Sequence, residues 1–284
     1  MNTRLWQPIG IFDSGIGGLT VLRAIHQLLP DEPLFYLADQ AHVPYGSRQL
    51  EEVRRFSVAI TRFLLDQGAR LVVVACNTAS AAALKHLRSV FPHVPFVGME
   101  PAVKPAAERT RSGVVGVLAT PATFQGELYA SVVERFGQGV KLLQNTCPGL
   151  VAQIETGALD SPETHHILED ALQPMLEQGI DTVVLGCTHY PLVIPLIQQI
   201  VGPDVRVIDP APAVARQVQR LLVASDLLEL ETTIQESFLP TPLQLLQLYT
   251  TGRPKDLELL LPSLLDEIAP VERLSWRDGK LLGG

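Results

Sequence analysis

Two cysteines sit in matching surroundings. LLDQGARLVVVACNT (64–78) and MLEQGIDTVVLGCTH (175–189) align without gaps, with Leu65/Leu176, Gln67/Gln178, Gly68/Gly179, Val72/Val183, Val73/Val184 and Cys76/Cys187 identical. Each copy reads as a helix end, a glycine, a buried strand and a cysteine at the strand's carboxyl end, the place where α/β sheets bind ligands. If the two copies face each other, a ligand between them has a thiol on each side. Such a pair could form a disulfide, hold a metal, supply a nucleophile with a spare, or act as two acid–base groups. For a metal, only Cys187-Thr188-His189 approaches ligand spacing, and no C-x-x-C occurs. A thiol hydrolase built on Cys187 and His189 leaves Cys76 without a role. Acid–base use accounts for both sulfurs. One thiolate takes a proton from a carbon while the opposite thiol delivers one to the other face, which inverts the centre and needs no cofactor. Strand–helix junctions are expected to help by lowering the thiol pKa.

Other residues cluster around the same idea. DSGIGG (13–18) follows the first strand. As a phosphate loop with Asp39 as the ribose acid it fits poorly: position 20 is Thr, not glycine, and Asp13 puts an anion where a pyrophosphate belongs. The alternative is that Gly15, Gly17 and Gly18 allow close backbone approach, Ser14 contacts a ligand, and Asp13 orients or exchanges protons beside a thiol. In VPYGSR (43–48), Tyr45 and Gly46 either wrap a ligand or close a loop. Asn77 and Thr78 are expected to cap a helix or, with its N–H groups, to hold a carboxylate. Cys147, before Pro148, reads as a packed thiol. His165 and His166 read as facing water, and Trp6 and Trp276 as plugging core edges.

The elements that must position these residues alternate. Strands are expected at 8–12, 34–38, 71–75, 95–98, 113–118, 182–186 and 204–208. Helical patterns run between them, including 122–136 and one from about Pro191. This rhythm implies parallel βαβ units and an α/β fold. The stretch from about 226 is leucine-rich with scattered prolines. The 284 residues make one large or two modest domains, 46% hydrophobic and 18% charged, with a core that needs no staples. A net charge of −8 without a Lys/Arg run argues against nucleic acid and anionic membranes as partners. Three cysteines make no disulfide scaffold, and no apolar run reaches membrane-spanning length. A cytoplasmic protein with free thiols is expected.

FDSGIGGLTV, VPYGSR, VVACNTASA and VLGCTHYPL, in order over about 9–215, resemble the glutamate racemases. The resemblance implies two similar α/β domains with mainly parallel sheets, related by a pseudo-twofold axis, with the active site between them. It places 1–98 with a returning 212–284 in one domain and 99–211 in the other. It implies cofactor- and metal-independent conversion of L- to D-glutamate for peptidoglycan, with a homodimer as the assembly. By the same resemblance Cys76 and Cys187 are the catalytic thiols, assisted by Asp13 and His189. Ser14, Tyr45, Gly46, Asn77, Thr78, Thr120, Thr123 and Thr188, together with Asp13 and His189, contact the substrate. Glu155 stands near an acid on the His189 side, and TTGRP (250–254) resembles the family's tail turn. Ala102 and Ala119 stand where glycine is common, and Asp209-Pro210 replaces Asp-Ser.

Overall fold

Strands buried on both faces need helices on both sides, and the alternating runs supply them. The computed structural model describes residues 7–225, 245–265 and 269–283. Trp6 and most of the leucine-rich stretch after 226 lie outside the described residues. In chain order the strands are β1 (Ile9–Asp13), β2 (Leu34–Ala38), β3 (Leu71–Val74), β4 (Phe96–Gly98), β5 (Val114–Ala119), β6 (Lys141–Asn145), β7 (Thr182–Gly186), β8 (Arg206–Ile208), β9 (Leu246–Thr250), β10 (Val271–Arg277) and β11 (Lys280–Gly283). The helices between them are α1 (Leu19–Leu28), α2 (Leu50–Asp66), α3 (Asn77–Val90), α4 (Val103–Arg109), α5 (Pro121–Gln125), α6 (Glu127–Phe136), α7 (Leu150–Glu155), α8 (Pro162–Leu176), α9 (Ile194–Val201) and α10 (Ala211–Ala224).

Side chains alternate across each strand, and the core divides accordingly. Ile9, Ile11, Leu71 and Val73 face the layer of α1 and α10. Phe12, Val72 and Val74 face that of α2 and α3. The first sheet has the order β11-β10-β9-β2-β1-β3-β4 and the second β6-β5-β7-β8. All pairings are parallel except β10 with β11. The run β2-β1-β3-β4 and the run β6-β5-β7-β8 have the same order, so the sequence repeat is a repeat of topology. The fold is α/β, with two mainly parallel sheets. Cys76 follows β3 and Cys187 follows β7, the equivalent strands of the two sheets.

Several elements differ from expectation. The helix expected over 122–136 is two, α5 and α6, parted at Gly126. The helix from Pro191 opens as a 3-10 turn, Tyr190–Val193, before α9. β6 and α7 have no counterpart in the sequence reading. β6 is half-exposed over much of its length, so it lacks the unbroken apolar run that marks the buried strands. The chain then returns to the first sheet: β9 pairs with β2 in the register Leu34↔Leu246, and β10 and β11 close the edge as a hairpin. No helix of the described residues is long and apolar enough to cross a membrane.

Candidate active site

The two cysteines line one cavity, with Ser14, Pro44, Tyr45, Gly46, Asn77, Thr78, Thr120, Val151, Thr188 and His189. Its free volume is about 10 Å³, scarcely room for one water. Asp13 and Thr123 stand behind this wall. Thr123 Oγ1 lies 2.9 Å from Thr120 Oγ1, which is 2.8 Å from Thr78 Oγ1, so a hydroxyl chain joins the two halves.

Cys76 is the N-cap of α3, and its sulfur accepts the Ala79 N–H at 3.4 Å. This corrects the expectation that Asn77 and Thr78 cap the helix; they are its first two residues. The Asn77 amide is thereby released toward the cavity. It is buried, and both its Nδ2 and Oδ1 lack a hydrogen-bond partner among the described residues. The Cys76 thiol donates to Ser14 Oγ at 3.8 Å. Burial pushes this thiol well up, and the nearby Asp13 adds to the rise against the Ala79 N–H. The lowered pKa expected of a strand–helix junction does not hold here, because desolvation of the thiolate outweighs one N–H dipole. Burial favours the thiol form of Cys76.

Asp13 ends β1. Its Oδ2 accepts Gly15 N–H and Gly18 N–H at 3.1 Å each, and its Oδ1 accepts Thr188 Oγ1–H at 3.2 Å. Burial still raises its pKa, against the pull of His189 and the two amides. The residue at the end of the equivalent strand β5 is Ala119, so the second half carries no acid there.

Its place is taken by an imidazole. Cys187 Sγ lies 3.8 Å from His189 Nδ1, and His189 Nε2 lies 2.5 Å from Glu155 Oε1. Burial works against charge on this ring, but the Cys187 sulfur and the Glu155 carboxylate outweigh it and lift His189 well above its ordinary value. Glu155 is lowered despite burial, by His189, the Ile16 N–H and Gln40. An imidazolium–carboxylate pair therefore backs Cys187.

The glycine loop explains how this pair fits. A Cβ on Gly15 would sit 1.8 Å from Glu155 Oε1, and one on Gly17 would sit 2.6 Å from His189 Nδ1. The close approach anticipated for this loop is to side chains of the other half. Tyr36 hydroxyl donates to Gly15 O at 2.7 Å from below.

Asp39 is a structural hub. Its Oδ2 accepts Tyr45 hydroxyl at 2.6 Å, and its Oδ1 accepts Thr251 Oγ1–H at 2.8 Å and Trp276 Nε1–H at 2.7 Å. It fixes the Tyr45 loop against the returning C-terminal strands. Cys147 is buried in the core with its thiol pushed up to about 12 by desolvation, as a packed thiol should be. His166 faces water. Among the described residues no group of three His, Cys, Asp or Glu side chains is placed to hold a metal ion.

Pro44, Val151 and Gln40 escaped the sequence reading. The signal for Pro44 was adjacent, since it precedes Tyr45. Val151 and Gln40 carry no local signal, because only the tertiary fold brings α7 and the β2 loop together.

Comparison with known proteins identifies the family. The Asp/Glu/Hydantoin racemase family profile matches residues 9–218. A glutamate racemase of Roseiflexus sp. (strain RS-1) is 58% identical over 222 residues, covering 78% of this chain and 82% of its own. That of Ectopseudomonas mendocina (strain ymp) is 49% identical, covering 93% of this chain and 97% of its own. The crystal structure of glutamate racemase isoform RacE1 from Bacillus anthracis superposes with a TM-score of 0.82 at 31% identity, covering 96% and 98% of the two chains. Glutamate racemase from Francisella tularensis subsp. tularensis SCHU S4, solved with D-glutamate, gives 0.79 at 29% identity, with 95% and 97% covered. Two like-ordered parallel sheets bring the two cysteines to the wall of one cavity, and the relatives are racemases, which are isomerases. The chain belongs to the Asp/Glu/Hydantoin racemase family.

Proposed function

We propose that this racemase interconverts L- and D-glutamate by proton transfer at Cα between Cys76 and Cys187, supplying the D enantiomer for peptidoglycan. The observation that carries the reading is the pair of cysteines, from equivalent strands, on the wall of one cavity. A thiolate takes the Cα hydrogen, forming S–H and leaving an electron pair that the substrate carboxylate delocalises. The opposite thiol breaks its S–H bond and forms C–H on the other face. Cys76, held protonated, serves as the acid in one direction, while Cys187 with His189 serves as the base; the roles reverse for the other enantiomer. Asp13 assists Cys76 and His189 assists Cys187. The unpartnered Asn77 amide, with Ser14, Tyr45, Gly46, Thr78, Thr120 and Thr188, holds the substrate's amino and carboxylate groups, and Thr123 braces Thr120. Two acid–base groups suffice for this chemistry. The substrate is bound between a body of 1–98 with 212–284 and a body of 99–211, in a cytoplasmic homodimer. The relatives' names and the D-glutamate held by the Francisella tularensis enzyme support glutamate as substrate.

The test is incubation with L-glutamate in D2O. Deuterium at Cα of D-glutamate is expected, and Cys76→Ala should abolish turnover while leaving slow exchange. Retention of hydrogen at Cα, or full activity in Cys76→Ala, would overturn the reading. The Cys187–His189–Glu155 alignment also matches a thiol hydrolase, which predicts an acyl-enzyme detectable by mass spectrometry and indifference to Cys76→Ala.

A further inference from the structure

The two thiols differ in what lies behind them. Behind Cys76 stands Asp13, fully buried and saturated by two amides and a hydroxyl. Behind Cys187 stands His189, and behind that Glu155, whose side chain is 11% exposed. Glu155 forms part of the wall of a second cleft, of about 510 Å³, with Gln40, Val43, Arg253, Asp256 and Leu259. This cleft lies on the far side of Glu155 from the thiols. Gln40 Nε2 donates to Glu155 Oε2 at 3.3 Å, and Thr250 Oγ1 donates to Gln40 Oε1 at 2.7 Å. The Glu155 oxygen facing away from His189 is thus held in place from β9.

We propose that Cys187 exchanges protons with bulk water through His189, Glu155 and this cleft while the substrate cavity is shut, with Gln40 as the positioning residue of the outlet. The proposal rests on the two-thiol reading above. With Cys187 in its thiol form His189 is the neutral Nε2–H imidazole; the Sγ proton passes to His189 Nδ1 to give the imidazolium, Nε2 then releases one to Glu155 Oε1, and Glu155 yields one to water in the cleft. One S–H bond breaks, one N–H forms and one breaks, and one O–H forms and then breaks to hydronium. The reverse sequence reprotonates the sulfur. Each turnover leaves the two thiols with exchanged protonation, so the enzyme must reset before it accepts the same enantiomer again. Cys187 resets through the outlet. Cys76 resets only through the cavity.

The test is racemisation followed by circular dichroism, with Glu155→Ala titrated with formate and acetate. Loss of a proton carrier slows turnover by at least about tenfold. Small acids entering the cleft should restore it saturably and in order of their pKa. Gln40→Leu keeps the carboxylate but frees it, and should lose several-fold in kcat with KM little changed and respond to the same acids. A merely structural role would give no buffer response. If Glu155→Ala fails to fold, Gln40→Leu carries the test. A slowed enzyme indifferent to every small acid overturns the outlet and leaves the racemase reading intact. A wild-type chain that places no deuterium at Cα of glutamate overturns the racemase reading instead.

Discussion

Thr78 Oγ1, at the start of α3, and Thr120 Oγ1, after β5, lie 2.8 Å apart and bridge the two halves of the molecule over a cavity of about 10 Å³. A cavity this small leads to the expectation that the halves part to admit substrate. Lys85 on α3 and Glu127 on α6 span the same seam at the surface, 3.4 Å apart and both almost fully exposed. Lys85→Cys/Glu127→Cys joined by a reducible bismaleimide cross-linker should lose at least about tenfold in racemisation, as for other enzymes gated by closure. Reduction should restore it, and each single variant treated with the same cross-linker should keep its activity.

Gly15 is required by its neighbour. With a Cβ 1.8 Å from Glu155 Oε1, Gly15→Ala must displace the carboxylate. The shift breaks the Ile16 and His189 hydrogen bonds of Glu155, and hydrogen bonds to charged groups are worth about 1.5–3 kcal/mol. A lower denaturation midpoint together with a fall in kcat is expected. Unchanged kinetics would show that Glu155 does not need its observed position.

Trp276→Phe removes one donor from Asp39 while keeping the aromatic packing on Phe56. A lost hydrogen bond to a buried charge costs about 1.5–3 kcal/mol. Because Asp39 also holds Tyr45, KM should rise as stability falls. Urea denaturation and steady-state kinetics on one preparation check both.

The His189–Glu155 pair should be visible in stability against pH. His189 is raised in the folded state, so its contribution is complete below the unfolded value of about 6.5 and is lost as pH climbs toward the folded value. Glu155 is lowered, so its contribution is present above about 4.3 and lost as pH falls through the folded value. The stability difference between wild type and His189→Asn should be greatest between about pH 4.3 and 6.5 and shrink on either side. A difference that is flat from pH 4 to 9 would contradict the pair.

Much of this was legible in the chain. The buried strands β3 and β7 announce themselves as apolar runs, and the duplicated cysteine behind each locates the cavity before any fold is known. What escaped depends on contacts between distant segments. β6 is half-exposed and carries no alternation strong enough to mark it. Glu155 is reached only through the family resemblance, because its contacts form when α7 packs beside the glycine loop; Gln40 gains its own only when β9 comes alongside β2. The Cys76 thiol ran opposite to expectation because burial, which local sequence does not report, exceeds the effect of one amide. Asp39, weighed and set aside as a ribose acid, is a hub whose side-chain partners are three to 237 residues away.

The register of β9 on β2 has a consequence for biosynthesis. The partners of Asp39 and Gln40 at Thr250, Thr251 and Trp276 leave the ribosome 210 to 237 residues after them. A nascent chain can assemble both cysteine-bearing strands first, yet the loop that carries Tyr45 lacks these anchors until β9 and β10 have emerged. Stop codons placed just before Thr250 should therefore yield protein that folds its first strands and never gains a working site.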